Sequence, residues 1–251
     1  DVKLNIFAIA NSKNVLLNKN GVTPNWKNEI QNKGTLYSIQ DVIDYANENH
    51  LENLIAIDNT ASATFVENYI PLIESSFDLI SSNKVANTLS YSFYKKLRKV
   101  LADNQKTYLY ETNVGAGLPL IDTIKLLHLS GENITKIKGV FSGTLSYLFN
   151  NFSAKDVPFS EILKEAIDNG YTEPDPREDL CGNDVGRKLL ILARELDLQN
   201  EFEEIAIQNL IPEHLREGSA SEFLTKLKEF DAVYAKIKED QQPNHVLRYI
   251  G

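Results

Sequence analysis

Apolar positions along the 251-residue chain change period several times. Residues 2–10 alternate and then turn wholly apolar, which predicts a strand beginning almost at residue 1. Residues 39–50 carry the spacing of an amphipathic helix, 54–58 read as a short buried strand, and 63–74 are again helical. Asp78–Ser81 is the next strand, 91–104 a charged amphipathic helix, and 107–111 another strand. Strands alternating with helices of about a dozen residues predict an α/β fold with a doubly wound parallel sheet. Such sheets bind ligands beyond the carboxyl ends of their strands. There the chain places Asn11, Ser12 and Lys13, then Asn59, Thr60 and Ala61, then Ser82, Asn83 and Lys84, then Asn113, Val114 and Gly115, all but Lys13, Lys84 and Val114 small or neutral polar residues.

After Pro119 the pattern changes. Residues 119–129 form a helix with proline in its first turn and Gly131 beyond its end, and 137–141 read as a strand. Helices are expected over 144–151, 160–169, 183–196 and 220–233. Two domains follow: an α/β domain over 1–113 and an α+β domain over 114–251. No internal repeat or low-complexity tract interrupts either.

The chemistry concentrates between Gly170 and Lys188, where five carboxylates surround Pro174 and Pro176. The prolines fix φ at two positions and bias their predecessors to extended geometry, so Glu173 is held on a stiff, non-helical segment. Beyond it, Val185, Leu189, Leu192 and Leu196 give the next helix an apolar stripe, with Asp184 and Lys188 one turn apart on a neighbouring face. An i, i+4 Asp/Lys pair taken alone is a solvated surface pair worth roughly 0.3–0.5 kcal/mol. Glu178 and Asp179 can serve equally as acids at a helix start.

The run from Gly170 through Thr172, Glu173, Pro174, Asp175, Pro176, Arg177, Glu178, Asp179, Gly182 and Asp184 to Lys188 resembles the signature segment of homoserine dehydrogenases. Asn83 with Lys84, and the segment Glu111, Thr112, Asn113, Val114, Gly115, Ala116, Gly117, Leu118, Pro119, agree with it in order and spacing. The likeness covers essentially the whole chain. Asn11–Lys13 and the last five residues are most similar to the dehydrogenase half of bifunctional aspartokinase–homoserine dehydrogenases, which implies an aspartokinase fused upstream in the full-length protein. The resemblance implies a Rossmann-like sheet lacking its first strand, because no Gly-x-Gly-x-x-Gly turn occurs ahead of the first predicted strand. It implies that 1–113 is a partial dinucleotide-binding domain and 114–251 a substrate-binding and dimerisation domain, with a C-terminal return to the nucleotide domain beyond Gly251. The 251-residue piece is accordingly expected to bind cofactor weakly by itself.

Several roles follow from that likeness. At the end of the second family strand an acid would bind the ribose 2′-hydroxyl of NAD; Asn11, Ser12 and Lys13 instead suit a 2′-phosphate, so NADP is expected ahead of NAD. Thr60, Ala61 and Lys84 lie on the cofactor, with Lys84 also assisting the carbonyl oxygen as it gains charge. Glu173, Asp179 and Asp184 bind a small amino-acid substrate, and Lys188 supplies the proton. Surrounding acids raise a lysine's hold on its proton while burial lowers it. Glu111 and the carbonyls of Val114, Ala116 and Leu118 bind Na⁺, a hard cation on oxygen ligands; the plainer reading of that loop is a tight turn. The implied activity is reversible NAD(P)H-dependent reduction of aspartate 4-semialdehyde to homoserine, in threonine and methionine biosynthesis. A noncatalytic scaffold remnant of such an enzyme, or a dehydrogenase of another amino-acid aldehyde, are the alternatives.

Charge and cysteine usage narrow the partners. A formal net charge of −9 with no basic stripe opposes nucleic-acid binding. The lone Cys181 excludes an intramolecular disulfide and fits a reducing compartment. No apolar run approaches the ~20 residues of a membrane span. A cytoplasmic homo-oligomer acting on a small molecule is expected, and His50, His128, His214 and His245 are too scattered for a transition-metal site.

Overall fold

The computed structural model describes residues 3–242 and 244–251; Val2, at the start of the first expected strand, lies outside them. The chain divides into two compact units, one of residues 1–86 and 92–110, the other of 87–91 and 111–251.

In the first unit, β1 (Ala8–Ala10), β2 (Asn14–Leu17) and β3 (Thr35–Leu36) form an antiparallel sheet in that order. β1 is thus shorter than the expected strand and does not join the parallel sheet. Asn11 explains the reversal: its side-chain oxygen accepts the N–H of Lys13 (2.9 Å) and of Asn14 (2.8 Å), an Asx turn that folds β2 back on β1. Helix α1 (Trp26–Lys33) follows β2. Helix α2 (Ile39–Glu48) starts at a capping box in which Ser38 and Asp41 satisfy each other's backbone N–H.

The parallel sheet is made of β4 (Ile55–Asp58), β5 (Asp78–Ser81) and β6 (Tyr108–Leu109), in register Asp58 to Ser81 and Ile80 to Leu109. Residues 65–68 wind as a 3₁₀ turn into α3 (Tyr69–Glu74), which carries the chain from β4 to β5. Helices α4 (Val85–Thr88) and α5 (Tyr91–Asp103) lead to β6. Tyr69, Leu72, Ile73 and Leu97 fill the core on one side of this sheet. On the other side Ile57, Ile80 and Leu109 form an exposed row.

The second unit is helical: α6 (Leu120–Leu129), α7 (Gly143–Ala154), α8 (Phe159–Asp168), α9 (Arg177–Leu180), α10 (Asn183–Glu195), α11 (Ala220–Thr225) and α12 (Asp231–Glu239). The strand expected over 137–141 is not formed. Among the described residues its backbone pairs with other backbone only between Gly139 and Gly251 (3.0 Å each way), and one rung is too little for a ladder. The helix expected over 220–233 is broken at Lys226 into α11, a 3₁₀ turn over Leu227–Phe230 and α12. Phe149, Phe152, Phe159, Phe230 and Tyr234 pack as an aromatic cluster, with Phe159 and Tyr234 stacked at 3.8 Å between ring centres.

Residues 87–91 join this unit through Arg194 of α10. Its guanidinium donates to the carbonyls of Asn87 and Leu89 (2.8 Å each) and reaches Glu201 at 3.3 Å, while Glu201 accepts the N–H of Tyr91 at 2.9 Å. A fully buried guanidinium is tolerable only when paired and hydrogen-bonded in this way.

Candidate active site

The acidic segment folds as two locks around one open edge. Pro176 stands at the start of α9, and Asp175 receives Arg177 in a fork, Nε at 3.0 Å and Nη2 at 2.6 Å. The guanidinium hydrogen bonds hold the Asp175 carboxyl below the usual carboxylate range. Arg177 continues to the carbonyl of Gly218 at 3.0 Å, tying the loop to the body. These two residues therefore build the loop and leave its chemistry to others. Gly182 makes the second bend, at φ 79°, and a Cβ there would run into the Tyr249 hydroxyl and Ile207. Helix α10 begins immediately after it.

A cleft of about 460 Å³ lies against that helix, lined by Ser142, Gly143, Thr144, Tyr147, Tyr171, Glu173, Asp179, Asp184 and Lys188. All four side chains anticipated for substrate chemistry in this segment meet here. Lys188 Nζ lies 2.6 Å from Asp184 Oδ2 and donates to the Phe141 carbonyl at 2.7 Å. Its side chain is only 17% exposed, so the i, i+4 pair is no solvated surface bridge. Asp179 uses one carboxylate oxygen to accept the backbone N–H of Glu173 at 2.8 Å. It thereby fixes the segment from which the exposed Glu173 carboxylate projects.

Sequence reasoning missed the wall opposite. Ser142 caps α7 by accepting the N–H of Leu145 at 3.1 Å, and Thr144 donates its hydroxyl to the carbonyl of Tyr171 at 2.7 Å. The first turn of a twelve-residue helix thus opens on the cleft, where its positive end favours an anionic group. Tyr147 donates to Glu165 at 2.8 Å and meets Tyr171 edge-on. The Ser142–Gly143–Thr144 sequence just ahead of an apolar run was a legible N-cap signal.

In the first unit, the parallel sheet carries Thr60 and Ala61 on the loop after β4 and Lys84 on the loop after β5. Neighbouring strands end together there, so these three residues share one edge. Asn11, Ser12 and Lys13 are exposed on the β1–β2 turn of the other sheet. Glu111 accepts the N–H of Ile121 (2.8 Å) and Asp122 (3.0 Å), capping α6; Val114 is buried, and Ala116 sits at φ 54° beside Gly115 at φ 86°. Among the described residues no group of three or more His, Cys, Asp or Glu is placed to hold a metal ion, and no helix is long and apolar enough to cross a membrane.

Comparison with known proteins agrees with this arrangement over both units. Residues 1–111 match the family model of the homoserine dehydrogenase NAD binding domain, and 119–251 match that of homoserine dehydrogenase. The bifunctional aspartokinase/homoserine dehydrogenase of Buchnera aphidicola is 40% identical over the whole chain, which spans 31% of that protein's length. The homoserine dehydrogenase of Schizosaccharomyces pombe is 38% identical over 90% of the chain and 62% of its own length. Among solved structures, a Candida auris protein of unknown function superposes with a TM-score of 0.87 at 32% identity, over 98% of this chain and 71% of that one. A hyperthermophilic archaeal homoserine dehydrogenase in complex with NADPH shares the fold at a TM-score of 0.63 and 21% identity, over 77% and 60%. With both units matched in order to models of one enzyme, and with the acidic cleft in the second of them, the chain belongs to the homoserine dehydrogenase family.

Proposed function

We propose that the protein interconverts aspartate 4-semialdehyde and homoserine with a nicotinamide cofactor, NADP ahead of NAD, and that the cleft beside α10 is where the amino-acid substrate sits. The observation that carries this reading is the convergence of Glu173, Asp184 and Lys188 on one cleft with the first turn of α7. A zwitterionic amino-acid aldehyde presents a cation, an anion and a polar carbonyl. Glu173 supplies negative charge for its ammonium, the α7 N-terminus suits its carboxylate, and Lys188 meets the carbonyl oxygen.

The cofactor, when bound, supplies the hydride. Everything else falls to the chain. An ammonium has three donors; Asp184 and the Phe141 carbonyl orient Lys188 with two, and the third meets the substrate oxygen. As that oxygen gains charge, Lys188 hands it the proton, and in oxidation the neutral amine takes the proton back. Asp184 keeps the amine directed at the cleft, and Asp179 holds Glu173 in place through its N–H.

Thr60, Ala61 and Lys84 are assigned to the cofactor because they stand at adjacent carboxyl ends of a parallel sheet. Lys84 adds positive charge at that sheet edge. Asn11, Ser12 and Lys13 are assigned to the 2′-phosphate on their charge and hydroxyl content. Na⁺ is assigned to the carbonyls of Val114, Ala116 and Leu118 with Glu111, an assignment supported by the second lone pair that each carboxylate oxygen capping α6 retains. The relatives named as bifunctional support fusion to an aspartokinase, and the cytoplasmic homo-oligomer expected from the sequence is retained as part of this reading.

The test is a substrate comparison. Oxidation of homoserine with NADP⁺ should exceed that of a deaminated or decarboxylated analogue by about 10²-fold or more, because each missing charge leaves a cleft group unpaired. Equal rates would overturn the substrate assignment.

A further inference from the structure

Asp58, the last residue of β4, is only 4% exposed and accepts three hydrogen bonds. Its Oδ1 takes the N–H of Thr60 at 2.8 Å; its Oδ2 takes the Tyr69 hydroxyl at 2.7 Å and Asn83 Nδ2 at 3.0 Å. Asn83, 2% exposed, continues the chain of contacts. Its Nδ2 also donates to the Ser62 carbonyl at 3.0 Å, its Oδ1 accepts the N–H of Val85 at 3.1 Å, and its own N–H donates to Ser81 Oγ at 2.9 Å. Two buried side chains therefore bind residues 58–62 to residues 81–85 and grip the backbone on either side of Lys84.

Stability alone does not call for this. Burying a carboxylate costs several kcal/mol unless its lone pairs are met, and an apolar pair in the same place would avoid the cost. The three converging donors also require a group that only accepts: an asparagine would turn an N–H₂ toward at least one of them. Burial pushes the Tyr69 hydroxyl far up, so it stays a donor over the whole working range. What the arrangement produces is two loops with one fixed spacing.

We infer that Asp58 is a positioning residue whose buried carboxylate, acting with Asn83, brackets the loops after β4 and β5 so that Thr60 and Lys84 are presented together to the nicotinamide cofactor. The inference rests on the cofactor assignment made above. Asp58 itself touches no reacting atom. Its effect is preorganisation: without the bracket, the loops must be ordered at the cost of binding.

Two measurements on the full chain decide it, using Asp58→Asn, Asn83→Ala and, as a core control away from the network, Ile73→Val. Amide hydrogen exchange of the nucleotide-free protein should speed up on the order of 10-fold or more at Thr60 and Val85 in the first two variants, while Leu79 within β5 is unchanged. Calorimetric titration with NADPH and NADH should show Kd raised about 10–100-fold in those variants, the worth of one charge-assisted hydrogen bond. Ile73→Val should lower the melting temperature and move neither readout. Unchanged exchange in Asp58→Asn, or cofactor bound by it as tightly as by the parent, overturns the inference. A parent that binds neither nucleotide even weakly overturns the cofactor assignment first, and the inference with it. Should Asp58→Asn fail to fold, Asn83→Ala carries both readouts alone.

Discussion

Asp58 and Asp184 stand at comparable places, one at the end of a strand and one in the first turn of a helix, and they are treated in opposite ways. Asp58 is sealed from solvent among neutral donors, and every contact it makes ends inside the first unit. Asp184 has a side chain 45% exposed and pairs with an ammonium on the wall of an open cleft. The first arrangement can fix geometry and little else, because nothing mobile reaches it. The second can exchange a proton with whatever enters the cleft. Where a carboxylate is buried, and with what kind of partner, separates the residues that hold this protein's shape from those assigned to the proposed reaction.

The sharpest way to break that contrast is Lys188→Ala. If the pair on α10 exists for proton transfer, kcat for semialdehyde reduction should fall about 10²–10⁴-fold with a modest change in KM. The melting temperature should move by only a few degrees, since the Asp184 carboxylate left behind is 45% exposed and can be met by water. A large loss of stability with near-normal turnover would make Asp184 and Lys188 a structural pair, and the contrast with Asp58 would vanish.

Glu173→Gln comes next in size. It keeps shape and removes charge, so KM for the semialdehyde should rise about 10-fold or more while kcat falls less, as expected when ground-state and transition-state binding are lost together. Asp179→Asn sharpens this further. It keeps an oxygen to accept the Glu173 N–H at much the same distance, and should therefore cost less than the Glu173 change. A greater effect at Asp179 would mean that Asp179, not Glu173, carries the substrate's charge.

The same contrast marks what the sequence could reveal. The acids and lysine of the cleft were legible because they crowd into one segment, and the helix that aims them follows from its apolar spacing. The bracket was not: Asp58, Tyr69 and Asn83 are scattered over twenty-six residues, on an expected strand end, within an expected helix and on the loop beside Lys84. Only the parallel register of β4 and β5 brings them together. Periodicity placed α2, β5, α5, α6, α8 and α10 within a few residues of their observed ends, while the helix expected over 63–74 forms as α3 only from Tyr69, behind a 3₁₀ turn over 65–68. It failed at residues 8–17, where a local Asx turn overrode the expected parallel pairing, and at 137–141, where a strand-like pattern finds one backbone partner. In both places pairing depends on which strand lies alongside, and periodicity carries no information about neighbours.

Acid titration sharpens the distinction between the loop's structural lock and its cleft. Because Arg177 lowers the Asp175 carboxyl, that group contributes stability fully above its unfolded value near 3.9 and loses it as pH falls through the lower folded value. The contribution should be about 1 kcal/mol, with both side chains largely covered. Urea unfolding of the parent should therefore show a midpoint that drops below about pH 4, with Asp175→Asn giving a flatter profile over that range. An unchanged profile would show that the fork does not stabilise the fold.

The smallest effect belongs to a carboxylate that is neither sealed nor in a cleft. Asp41 closes the capping box of α2: its Oδ2 accepts the Ser38 N–H at 2.6 Å and the Ser38 hydroxyl at 2.8 Å, and the two together hold its carboxyl below the usual range, the backbone bond chief among them. Ser38→Ala removes the hydroxyl, which is also the acceptor for the Asp41 N–H, and leaves the backbone donor in place. The melting temperature should fall by about 1–4 °C, as for loss of one helix cap in a protein of this size. Cofactor affinity and kcat should not change. The pH dependence should largely survive, because the main cause of the lowered carboxyl is still present: the stabilisation stands above about pH 4 and fades as pH falls through the folded value. A profile that instead collapses in Ser38→Ala would show that the hydroxyl, and not the backbone N–H, sets the charge state of this cap.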